Sequence, residues 1–141
     1  MTQDLIQVDY AEPSVSEDQC VVRSTLGFHA TIDRLKREIE TLDMGVIHEI
    51  NPQMLLERGG YSILGARQIL FFHPRYAARL LALDPAAFPE IPLKAVVMEG
   101  RDGAITVRCR RVESLFKPYP ALQELAAELS EKVGKLFATV S

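Results

Sequence analysis

Phe28, Ile32, Leu35, Ile39 and Leu42 recur at steps of four, three, four and three. A helix over this stretch carries one apolar stripe and leaves Arg34, Lys36, Arg37, Glu38 and Glu40 on its remaining faces. Gly45 is the expected stop. The same spacing returns in Leu122, Leu125, Leu129, Val133 and Leu136, after Pro118 and Pro120. Two further helices are marked by how they begin. Asn51-Pro52 and His73-Pro74 each put a side-chain acceptor where a helix cap belongs and a proline at the first helical position. The first runs to Arg58, before Gly59-Gly60; the second runs to Leu83, before a proline-rich loop from Asp84 to Pro92.

The strands follow from β-branched and alternating stretches. Gln19 to Thr25 and Val46 to Ile50 read as the first two. Arg67 to Phe72 is apolar on both parities, Ile69 and Phe71 on one and Leu70 and Phe72 on the other, as in a strand buried on both faces. Leu93 to Glu99 and Ala104 to Arg110 flank Asp102-Gly103, a hairpin signal. An even-length loop there groups Lys94, Val96 and Met98 with Ile105, Val107 and Cys109 on an apolar side. The other side then holds Ala95, Val97 and Glu99 with Thr106, Arg108 and Arg110. Residues 1–18 are polar and read as a flexible N-terminal arm ahead of a single domain over 19–141. The order β-α-β, short helix, β-α-β-β-α predicts an α+β fold, a two-layer sandwich with a mixed sheet of about five strands. With the helices on one face, the other exposes Arg108, Arg110 and part of the doubly apolar third strand. Such a face predicts a two-fold homodimer.

Composition narrows the class. A chain of 141 residues suits one domain, and 48% apolar with 25% charged residues argues against disorder. Cys20 and Cys109 lack CxxC spacing, which excludes a disulfide scaffold or a zinc finger. The start Met1-Thr2-Gln3-Asp4 has no basic or apolar leader, and runs such as Ile69 to Phe72 are too short to cross a bilayer. A reducing cytoplasm is the expected compartment, with no membrane association. The net charge of -3 is unevenly spread: residues 1–60 hold 5 Lys/Arg against 11 Asp/Glu, whereas residues 61–111 hold 8 against 4. An excess this modest suits one small anion or an acidic surface on another subunit. It does not suit nucleic acid, which the pI of 5.6 and the lack of interleaved aromatics also argue against.

Three segments together resemble a known family. They are TIDRLKREIETLDMGVIHEIN, the strand-into-helix QILFFHP, and IPLKAVVMEGRDGAITV, within a match from about Thr25 to Leu136. The chain is similar to the prokaryotic domain-of-unknown-function family 302. The resemblance implies a compact α/β domain, often homodimeric, and no established activity. Where members often carry Phe-Gly-Asn-Pro this chain has Phe71-Phe72-His73-Pro74, and after the hairpin it has Cys109-Arg110-Arg111-Val112 in place of an aromatic stretch. Both departures would alter a pocket formed there.

The candidate chemistry is sparse. His48 shares parity with Val46 and Ile50 and is expected at the core or its rim; His73 is expected to cap its helix, in the place of the family's Asn. His29 and Asp33 form an i, i+4 pair on a solvated helix face. The three histidines show no metal-ligand spacing. Cys109 could be activated by Arg108 and Arg110, but alternation turns it away from them and predicts a buried, inert thiol. GxSxG, P-loop, GxGxxG and HExxH patterns are absent from the sequence. Arg108, Arg110 and Arg111 form the densest basic cluster, with Arg67 expected nearby and Arg23 in reach. Arginine's planar fork suits a carboxylate or phosphate.

The sequence therefore points to a non-enzymatic homodimeric module that binds a small anionic ligand or a protein partner through the uncovered sheet face. The site residues are Arg108, Arg110, Arg67, His48 and His73, and no metal or cofactor is expected. The alternative is a small enzyme using His48 or His73 with Glu49 and an arginine as acid–base residues.

Overall fold

The computed structural model describes residues 4–141. Its main sheet is built from β2 (Gln19–Arg23), β3 (Gly45–Ile50), β5 (Ala66–Phe72), β6 (Leu93–Glu99) and β7 (Ile105–Arg110). Their order across the sheet is β2-β7-β6-β5-β3. Five strands were expected, and the α+β class holds. Every pairing in this sheet is antiparallel, and a separate ribbon pairs β1 (Ile6–Gln7) in parallel with β4 (Tyr61–Ser62). The physical reason lies in α1 (Phe28–Thr41). It carries the chain from β2 at one edge to β3 at the other, so the two strands it joins never become neighbours.

α1 and α5 (Gln123–Ala138) lie against each other on one face, and α4 (Val112–Phe116) packs on α5. The stripes read from the sequence are the buried ones. Ile32, Leu35 and Ile39 come from α1, and Leu125, Leu129, Val133 and Leu136 from α5. They meet Ile69, Ala95, Val97 and Val107 of the sheet, all fully buried. Each large side chain sealed in this way contributes roughly 1.5–3 kcal/mol. α1 stops earlier than the glycine signal implied. Asp43 takes the left-handed turn at φ 60, and Gly45 already begins β3. Aspartate tolerates that conformation because its short polar side chain can bond locally.

α2 (Pro52–Arg58) and α3 (Pro74–Leu83) begin where their caps predicted. Asn51 accepts from the Met54 N–H at 3.2 Å, and His73 Nδ1 accepts from the Arg75 N–H at 3.0 Å. The proline-rich stretch expected as loop is a 3-10 turn over Pro85–Glu90.

The hairpin departs from its expected register. Glu99 pairs with Ile105, so the loop Gly100–Ala104 has an odd number of residues and the parities invert. Gly103 supplies the positive φ of 81 that the turn requires. As a result Leu93, Ala95 and Val97 join Ile105 and Val107 on the helix-covered side. Lys94, Val96 and Met98 join Thr106, Arg108 and Arg110 on the open side.

Residues read as an arm before the domain carry β1. The Ile6 and Val8 N–H groups donate to Gly60 and Ser62 carbonyls at 2.9 Å each, and Arg101 pairs with Glu12 at 2.9 Å.

Candidate functional site

The open face is laid out in rows by strand register. One row runs Arg23, Thr106, Met98 and Ala66; the next runs Val21, Arg108, Val96, Gln68 and Ile50. Lys94 and Arg110 lie one step further on, beside Leu70 and Gln19 respectively. Arg23, Lys94, Arg108 and Arg110 thus share a face, and none has a carboxylate within ion-pair distance among the described residues. Among the described residues the Arg108 guanidinium has only a long contact, from Nη2 to Thr106 Oγ1 at 3.5 Å. Its buried Nε has no hydrogen-bond partner among the described residues.

Two spaces adjoin Arg108. The larger, about 900 Å³, lies between residues 8–13, the hairpin loop, Arg23 and Arg108. Asp9, Glu12, Glu99 and Asp102 line it against Arg23, Arg101 and Arg108, so acids outnumber bases there. The smaller, about 420 Å³, lies at the end of the sheet where β6 begins and β7 ends. It exists because β6 and β7 pair only from Glu99–Ile105 to Val96–Arg108. Beyond that point they part: the start of β6 stays with β5 and the end of β7 stays with β2. Lys94, Arg108 and Arg110 flank this groove, against the single carboxylate of Glu90. Phe71, Leu93, Val112, Leu115 and Val133 form its buried apolar floor. Of the two spaces, only the groove has the charge balance for an anion.

The other predicted site residues lie elsewhere. Arg67 is not beside Arg108. It pairs across from Val97, which places it on the helix-covered face. There it donates to Gln53 Oε1 at 2.6 Å and to the Ala66 carbonyl at 2.7 Å, and stacks over Phe28 at 5.5 Å. His48 is not at the core. A register shift between Val46 and His48 reverses its parity, and it lies exposed on the open face opposite Leu70. His73 is occupied as the cap of α3, as expected. Glu49 bonds Lys36 Nζ at 2.7 Å and approaches Arg67 at 3.9 Å. It hydrogen-bonds neither histidine, so the constellation of the enzyme alternative is not assembled.

Cys109 faces Cys20 across the β2–β7 pair, away from the flanking arginines, as alternation predicted. Burial, with Cys20 beside it, pushes its thiol up to about 12, so it is neutral and a poor nucleophile near pH 7. Arg111 is tied by its Nε to the Glu17 carbonyl at 3.0 Å and leaves the cluster. Among the described residues no group of three or more His, Cys, Asp or Glu could hold a metal ion. Among the described residues no helix is long and apolar enough to cross a membrane.

Sequence reasoning missed Lys94 as a partner of Arg110, and it missed the floor from α4 and α5. An odd loop count at the hairpin would have placed Lys94; nothing in the sequence marks Leu115 or Val133 as facing a groove.

No curated protein matches the chain. The crystal structure of an uncharacterized conserved protein DUF302 from Bacillus stearothermophilus has the same fold. The TM-score is 0.83 at 21% identity, covering 89% of this chain and 100% of that one. The family model "Domain of unknown function DUF302" matches residues 20–140, nearly all of the domain built around the sheet, and the chain belongs to that family.

Proposed function

We propose that this protein is a binding module for a small anionic ligand, held in the groove between the diverging ends of β6 and β7. The observation that supports it is the set Lys94, Arg108 and Arg110 around an apolar cleft, without an ion-pair partner among the described residues. Cations left unpaired beside low-dielectric walls attract an anion more strongly than the same charges in open solvent. Thermal-shift screening with phosphates, nucleotides and carboxylates tests the reading. At least one anion should raise the melting temperature of the wild type. The shift should shrink with added salt and vanish in Lys94→Ala/Arg110→Ala. A panel that leaves the wild type unmoved, or moves both proteins equally, overturns it.

A second copy of the chain against the open face completes the proposal. Val21 at 47% and Ile47 at 59% exposure supply apolar contact near the two edges of the sheet. The apolar case is smaller than the sequence suggested, because Phe72 is buried within the subunit, edge-on to Tyr76 at 6.1 Å. Leu70 alone of the four third-strand residues remains half-exposed. Sedimentation at micromolar concentration should give a dimer; a monomer there removes this part of the proposal.

A further inference from the structure

The groove has two chemically distinct parts. Lys94 and Arg110 are exposed at its mouth, whereas Phe71, Leu93, Val112, Leu115 and Val133 are buried beneath. The Cys109 wall adds no charge, since its thiol stays protonated. A small hydrated anion would engage only the mouth and gain nothing from the apolar floor. Each methylene carried from water onto such a floor raises affinity about fourfold. Glu90 also lines the groove, within 3.5 Å of the Tyr119 hydroxyl, and it repels a second negative group.

From this layout we infer that the ligand is a single-headed anion with an apolar body, of the class of a medium-chain carboxylate. Its head meets Lys94 and Arg110, and its body lies on the floor formed by Leu93, Leu115 and Val133. This rests on the anion-binding reading above and specifies the ligand class for that site.

Calorimetric titration of the full chain separates the two claims. The probes are octanoate, acetate, 1-octanol and the eight-carbon dicarboxylate suberate. Octanoate should bind at least about tenfold more tightly than each of the others. Lys94→Ala/Arg110→Ala, which alters exposed side chains only, should lose most of that affinity. Val133→Leu, which fills part of the floor, should weaken octanoate severalfold. Should Val133→Leu fail to fold, Val133→Thr keeps the shape and tests the floor through its hydroxyl.

Acetate binding as tightly as octanoate overturns the apolar body and leaves the anion site standing. Octanol matching octanoate overturns both the charged head and the anion site. Suberate matching octanoate overturns the single head. No heat from any probe overturns the ligand class, and the broader anion panel then decides the site separately.

Discussion

The two faces of the sheet are made by alternate residues of the same strands, yet they obey different rules. On the helix side Ile69, Ala95, Val97 and Val107 are 0% exposed, and two polar residues of that side, Arg67 and Glu49, have partners. On the open side Arg23, Lys94, Arg108 and Arg110 stand among Val21, Leu70 and Val96, with no carboxylate to neutralise them among the described residues. Burial under helices enforces satisfaction, because an unpaired charge costs far more in a low dielectric than at a surface. A face without that cover can retain unpaired cations, and such a face is where a ligand or partner has something to offer.

Adjacent residues on β5 test this contrast most severely. Ile69→Ala should cost about 2–5 kcal/mol in urea unfolding, as a cavity under the helices. Leu70→Ala, one residue along and half-exposed, should cost less than about 1.5 kcal/mol. Equal losses would abolish the distinction between the faces. A Leu70 loss that grows with protein concentration would place a second copy over it.

Cys109 supplies the next test, through pH. Its folded-state value lies above that of an unfolded thiol, so the folded form keeps its proton while the unfolded form ionises. Stability from this group is therefore complete at neutral pH and falls as pH rises from about 9 towards 12. In a Cys20→Ser background, alkylation of Cys109 should be slow at pH 7 and accelerate steadily up to pH 10. Fast labelling at pH 7 would mean that the thiol is neither shielded nor inert.

The smallest expected effects concern the two histidines. His73→Ala removes the acceptor at the start of α3 and should cost about 0.5–2 kcal/mol. His48→Ala, at an exposed position of the open face, should stay within about 0.5 kcal/mol of wild type by thermal unfolding. A larger cost at His48 than at His73 would assign His48 a contact that the isolated subunit does not provide.

Much of this fold was legible because its signals are local. The stripes of α1 and α5, the caps at Asn51 and His73, and the Asp102-Gly103 turn each act within a few residues. The errors came where one residue of register reverses a whole strand. An odd loop at Gly100–Ala104 exchanged the two sides of β6, and the shift at Val46/His48 moved His48 from the core to the open face. Arg67 was grouped with Arg108 on strand character alone, although its parity sends it through to the other side.

By itself, then, the sequence determined the elements, their order, the apolar stripes and the presence of an arginine-rich strand end. These depend on side-chain period and on caps that bond their own backbone. The tertiary structure alone decided which cations meet and where the sheet parts. Lys94 comes near Arg110 only through the pairing of β6 with β7, and the groove exists only because that pairing ends at Val96–Arg108. Its floor is drawn from Leu115 and Val133, on helices remote in sequence from β6. Convergence of that kind is set by packing between distant segments, and no local pattern encodes it.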